Sequence, residues 1–144
     1  MSASGRPRGR RPTRPRPNQG PRAVALSTIR RVTERGAYST LAFRAELARA
    51  DLSPADTTLA AELAYGTIRR LLPLDHELAA RSRRPLSALE LEVVALLRLG
   101  AYQLRHTRIP AHAAVSETVA LARSSDPSTC PTGSAASRRR TAFT

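Results

Sequence analysis

The sequence predicts an all-α protein, a compact multi-helix bundle between two disordered ends. Three observations lead there. Between residues 22 and 123 the apolar side chains recur three and four positions apart, the period of an amphipathic helix. No stretch alternates apolar and polar residues as a half-buried strand would. Gly36, Ser53-Pro54, Pro73 and Pro110 interrupt the pattern at helix-sized intervals.

Residues 1 to 20 are Arg, Pro, Gly and small polar residues, with Met1 and Ala3 as the only aliphatic side chains. So little apolar surface cannot offset the entropy of ordering, so residues 1–21 form a disordered Arg/Pro-rich arm. The first helix starts at Arg22, carries Ala25, Leu26, Ile29 and Val32 on one face, and ends at Gly36. A second covers Tyr38 to Ala50 with Leu41, Ala45 and Ala48 inward. Asp51-Leu52-Ser53-Pro54 is a turn in which Ser53 caps the next helix and Pro54 opens it. That third helix runs from Pro54 to Leu71 along a stripe of Leu59, Ala60, Leu63, Ala64, Ile68 and Leu71. Pro73 breaks it, and a short helix with Leu74 and Leu78 follows. Ser87-Ala88-Leu89-Glu90 reads as a capping box for a fifth helix, Ala88 to Leu104. Its inward side is expected to be Leu89, Val93, Leu96, Leu97, Gly100 and Leu104. A sixth helix begins at Pro110 and carries Ala111, Ala114, Val115, Thr118 and Ala122. Beyond Arg123 the pattern stops, and residues 124–144 read as a disordered tail with Phe143 its only large apolar residue.

A chain of 144 residues allows one domain plus tails. The net charge is +13, and all 24 basic residues are Arg. Arginine is a planar fork that grips phosphate with two hydrogen bonds and stacks on bases. Seven arginines and no acid lie in residues 1–22, which thus carry over half of the excess charge. The single cysteine, Cys130, cannot close an internal disulfide, which fits a reducing compartment. The longest aliphatic run near the centre, Val93 to Leu97, is far too short to span a membrane. Arg10-Arg11 is followed by proline rather than an apolar stretch, which argues against twin-arginine export. Pro7, Pro12, Pro15, Pro17 and Pro21 oppose the amphipathic helix of an organelle presequence. The cytoplasm is the expected compartment.

The arginines that stand in pairs or runs are the candidate RNA contacts: Arg6, Arg8, Arg10, Arg11, Arg14 and Arg16 in the arm, Arg30 and Arg31 in the first helix, and Arg69 and Arg70 closing the third. Arg81, Arg83 and Arg84 form a further cluster before Pro85. For any one pair a solvated helix face is the simpler account. Gly66 and Gly100 sit inside helices, where glycine costs about 1 kcal/mol against alanine. Close approach of a neighbouring helix explains them, with the helix that carries Gly100 as the candidate partner for Gly66. Tyr65 and Tyr102 read as core or boundary aromatics with the hydroxyl near the surface, and base stacking as the alternative. His76, His106, His112 and Cys130 share no metal-ligand spacing. His112 suits a cap or a packing role, and Glu117 a salt bridge to a nearby Arg rather than catalysis.

Three phrases carry a resemblance. They are Glu62-Leu63-Ala64-Tyr65-Gly66-Thr67-Ile68-Arg69-Arg70, Leu97-Arg98-Leu99-Gly100-Ala101-Tyr102-Gln103-Leu104, and Arg108-Ile109-Pro110-Ala111-His112-Ala113-Ala114-Val115. In this order and spacing the chain resembles the N-terminal NusB-like domain of bacterial 16S ribosomal RNA (cytosine-5) methyltransferases, over about residues 22 to 123. The resemblance implies a helical fold and an RNA-binding domain that positions ribosomal RNA for methylation. In the family a larger catalytic domain follows, which uses a cysteine thiolate and S-adenosylmethionine. Thr129-Cys130-Pro131 is only superficially similar to its cysteine motifs, because no strand and no Gly-rich cofactor loop surround it. The expectation is that this chain has no catalytic residue and no cofactor of its own, and is inactive alone. RNA, ribosomal by resemblance, is the expected partner, with a methyltransferase domain or a ribosomal protein beside it and no membrane. A NusB-like antitermination module and an inactive gene fragment are the alternatives. The departure lies after the sixth helix. There the family continues with a further helix and this chain with a polar stretch, as a truncated or frame-shifted gene would give.

Overall fold

The computed structural model describes residues 20–125. The expectations for the arm and for the tail, Cys130 included, lie outside the described residues.

Six α-helices account for most of the described residues, and no strand occurs among them: α1 Pro21–Arg35, α2 Ser39–Arg49, α3 Pro54–Arg69, α4 Leu71–Arg81, α5 Leu91–His106 and α6 Ala111–Ser125. The all-α expectation is met. The central helix is α1. It packs on α2, α3, α5 and α6 and places Ala25 and Ile29 in full burial. Its end follows from chemistry: Gly36 adopts φ 64°, a left-handed cap open to glycine, and its N–H returns to the carbonyls of the last turn. Ser53 caps α3 as expected, its Oγ accepting the Asp56 N–H at 3.1 Å. The core is Leu26, Ile29, Phe43, Leu63, Leu74, Leu96, Leu99, Tyr102 and Leu121 with alanines between them.

Four local expectations are corrected. On α2 the buried residues are Ala42 and Phe43, and Leu41 points to solvent. Phe43 wins because its ring, the larger apolar payload, seats against Tyr65 of α3, centroids 5.3 Å apart. Helix α3 stops at Arg69, and Leu71 already belongs to α4; Pro73 falls in the first turn of α4, where no N–H is required of it. No capping box forms at Ser87. Leu86–Ala88 make one turn of 3₁₀ helix, Leu89 and Glu90 are extended, and α5 starts at Leu91. The buried side of α5 is Val94, Ala95, Leu96, Leu99, Tyr102 and Gln103, whereas Val93, Leu97 and Leu104 are exposed.

The three phrases meet in space, and they meet as packing. A Cβ on Gly66 would overlap the ring and hydroxyl of Tyr102 and lie 2.8 Å from Tyr102 Cε1. So α5 does approach Gly66, and it does so with the tyrosine that the second phrase supplies. The Tyr102 hydroxyl lies over Gly66. Gly100 faces Thr118 of α6, with the position of a Cβ 3.5 Å from Cγ2. Ala114 of the third phrase is fully buried, and its carbonyl accepts the Thr118 hydroxyl at 2.7 Å.

Candidate functional site

Arginine dominates the surface, so the first question is which arginines are already engaged. Arg30 is paired twice. Its Nε donates to Glu34 Oε1 at 2.9 Å, and its Nη1 lies 3.7 Å from Glu92 Oε1 on α5. The hydrogen bond to Glu34 and the charges of Glu34 and Glu92 outweigh partial burial, and hold Arg30 above its ordinary pKa. Arg31 pairs with Glu46 of α2. Together with Ser27 and Arg35 these groups line a small polar recess between α1 and α2. Arg98 grips Asp75 with both nitrogens, Nε to Oδ1 at 2.7 Å and Nη2 to Oδ2 at 2.8 Å, and ties α5 to α4. Arg105 and Arg81 share Glu77 at 3.0 and 4.0 Å.

The others differ. Arg69 and Arg70 are exposed where α3 ends; Arg69 Nε donates to the Tyr65 carbonyl at 3.3 Å. Neither they nor Arg35, Arg44 and Arg49 form an ion pair within 4 Å among the described residues. Of the sequence-derived candidates, then, the structure places Arg69 and Arg70 open to a ligand, and Arg30 and Arg31 in carboxylate clamps. It does not bring the two pairs into one cluster of contacts. The six arm arginines lie outside the described residues. Glu117 is exposed and forms none of the ion pairs, contrary to its expected role. His112 is exposed in the first turn of α6, and His106 stacks its ring on Tyr102 with centroids 5.5 Å apart. No His, Cys, Asp and Glu group able to hold a metal occurs among the described residues.

Two features were missed in the sequence. Gln103 is fully buried and joins three helices: its Oε1 accepts Arg22 Nε at 2.7 Å, and its Nε2 donates to the Leu99 carbonyl at 3.3 Å and to Thr118 Oγ1 at 3.2 Å. The signal was there, a lone amide inside an apolar helix, which burial obliges to find partners. The second is an apolar groove of about 470 Å³ between α4, α5 and α6, lined by Leu78, Val93, Leu97, Leu104, Val115 and Val119 with Glu77, Arg81 and Arg105 on its rim. The exposed half of α5 forms its floor.

S-adenosylmethionine does not fit these residues. Its ribose hydroxyls, amino-acid group and sulfonium call for several convergent polar groups. The groove offers aliphatic walls, and the recess beside α1 is lined by three arginines and two glutamates, of which Arg30 and Arg31 are already paired. No helix of the described residues is long and apolar enough to cross a membrane.

A family model described as the NusB family matches residues 19–128. A protein of Mycobacterium tuberculosis strain CDC 1551, whose name assigns it to the methyltransferases, is 44% identical over 113 residues, covering 78% of this chain and 24% of that protein. Ribosomal RNA small subunit methyltransferase B of Erwinia tasmaniensis is 38% identical over 98 residues, 68% of this chain and 22% of that enzyme. Its counterpart in Pseudomonas putida is 39% identical over 102 residues, 71% and 23% respectively. The chain thus spans about a quarter of the length of the curated relatives it matches. No solved structure gives a significant match.

Proposed function

The chain belongs to the NusB family, and from that premise we propose that it is the RNA-binding module of a ribosomal RNA (cytosine-5) methyltransferase, which positions ribosomal RNA for methylation. One observation carries the reading: residues matched by the family model coincide with the part shared with small subunit rRNA methyltransferases, and that part is a helical bundle with an uncompensated cationic surface.

The division of labour follows from the chemistry. Methyl transfer belongs to the part of the protein represented in the remaining length of the relatives, where S-adenosylmethionine binds. The helical part supplies affinity and placement. In the arm, Arg6, Arg8, Arg10, Arg11, Arg14 and Arg16 follow the phosphate backbone without reading sequence. Arg69 and Arg70 add contacts from a fixed position at the end of α3. Arg30 and Arg31 complete the set but must exchange Glu34, Glu46 and Glu92 for phosphate. The groove between α4, α5 and α6 takes no part, because its aliphatic lining offers phosphate no hydrogen bonds. The domain extends over residues 22–123, flanked by the arm and the tail, and works in the cytoplasm, where bacterial ribosomal RNA is made.

Filter binding tests the reading. The chain should retain fragments of small-subunit ribosomal RNA in preference to an unrelated RNA of equal length. With labelled S-adenosylmethionine it should leave the RNA unlabelled. Failure to retain ribosomal RNA, or labelling that Cys130→Ala abolishes, refutes it.

A further inference from the structure

We propose that the outward face of α2, together with the tip of α1, is a docking surface for single-stranded RNA. The proposal rests on the RNA-binding reading and names where the folded part makes its contact.

The surface is written in the period of one helix. Ala42 and Phe43 turn α2 toward the core. Tyr38 precedes the first turn, Leu41 and Arg44 follow at successive steps of three on the side away from Phe43, and Arg49 ends the helix. Tyr38 is 80% exposed and Leu41 62%. The bundle does not use either side chain, since α2 is already anchored through Phe43. Of the three tyrosines, Tyr65 is half-buried beside Phe43 and Tyr102 is closed over Gly66. The ring of Tyr38 alone is open to a flat partner.

Charge selects the partner. Arg35 closes α1 three residues before Tyr38, and Arg44 and Arg49 follow Leu41 along α2; all three are exposed. None of them forms an ion pair or a side-chain hydrogen bond among the described residues. The one acid on α2, Glu46, is spent on Arg31 toward α1. Asp51 comes only after the helix has ended. Completing helix dipoles accounts for Arg35 and Arg49 at two C-termini. It does not account for Arg44 in mid-helix, nor for the exposed ring of Tyr38 with unpaired guanidinium groups before and after it along the chain. A base stacked on Tyr38 and phosphates seated in the arginine forks satisfy all of them. Duplex RNA does not, because its base faces are already stacked.

The test uses the full chain and a short labelled single-stranded RNA. Tyr38→Ala should weaken binding by about five- to a hundredfold, the effect of one lost stack. Tyr38→Phe should bind like the wild type. Replacing Arg35, Arg44 and Arg49 by Gln should reduce the salt slope by about 2, at roughly 0.7 per phosphate. The chain has no tryptophan, so Tyr38→Trp places a unique reporter on the face. Its emission should be quenched by single-stranded RNA and not by duplex, whereas Val115→Trp, at a site 51% exposed on α6, should stay unquenched. Circular dichroism melts should be unchanged at these surface sites. Wild-type affinity and slope in both the Tyr38→Ala and the triple variant, or equal quenching at positions 38 and 115, overturns the proposal and leaves the face to a protein partner. A chain that binds no RNA at all overturns this proposal and the RNA-binding reading together. A chain that binds RNA with unaltered variants overturns this one alone.

Discussion

Gly66→Ala and Gly100→Ala should shift stability in opposite directions. In a helix interior the exchange alone gains about 1 kcal/mol. At Gly100 the new methyl meets Thr118 Cγ2 at 3.5 Å, an ordinary contact, so most of the gain survives. At Gly66 it would overlap the Tyr102 ring and hydroxyl. That ring is 7% exposed and backed by His106, with centroids 5.5 Å apart, so it cannot swing aside without vacating core space. Overpacking of this kind costs about 1–3 kcal/mol, and a stiff ring places it at the upper end. Setting the propensity gain against it leaves a net loss of about 2 kcal/mol. For a domain of this size 1 kcal/mol moves Tm by roughly 4–8 °C. Gly66→Ala should therefore lower Tm by about 10 °C and Gly100→Ala raise it by a few degrees, followed by circular dichroism. In a Tyr102→Leu background Gly66→Ala should become neutral or stabilising. Shifts of the same sign at both glycines, or a Gly66 penalty that persists without Tyr102, would refute the packing argument.

Three further changes probe the interactions between helices. Arg98→Ala removes the two-pronged grip on Asp75 and should lower the urea midpoint by the equivalent of about 1–2 kcal/mol; Arg98→Lys should restore only part, for want of the second prong. Thr67 Oγ1 is buried without a hydrogen-bond partner, so Thr67→Val should stabilise by about 1 kcal/mol. Thr28, whose hydroxyl donates to the Val24 carbonyl at 2.8 Å, should gain nothing from the same change. Gln103→Leu should destabilise by about 1–3 kcal/mol, because it strips Arg22 Nε and Thr118 of a partner in a half-buried setting.

Helix existence and the caps at Gly36 and Ser53 were legible because their signals are local, whereas the capping box read at Ser87 did not form. Gly36 and Ser53-Pro54 each act within a turn of where they stand. Helix faces were less so. Leu91, Val93, Val94, Ala95, Leu96, Leu97 and Leu99 put apolar side chains almost all round α5, so periodicity cannot choose which half turns inward. Packing against α1 and α3 chose Leu96 and Leu99, and left Val93 and Leu97 to the groove. The same ambiguity in α2 was resolved by Phe43 meeting Tyr65, a contact that local sequence does not announce. At the candidate site, the pairing of Arg30 with Glu34 is visible as a one-turn step along α1. The carboxylates of Glu46 and Glu92 arrive from other helices, and no pattern within α1 reveals them. Exposure of Tyr38 follows from the same tertiary choice that buried Phe43.

The most direct measurement of the central claim is fluorescence anisotropy of the chain with a ribosomal RNA hairpin over a salt series. Deleting residues 2–20 provides the comparison. If four to six arm charges engage phosphates, the arm should contribute about 3 to 4 to the salt slope of the full chain, beside the share of the arginines on the folded part. The truncated chain should lose the arm's contribution yet still bind the hairpin through the unpaired bases of its loop. No binding by the full chain at low salt, or identical affinity and slope with and without the arm, would contradict the account.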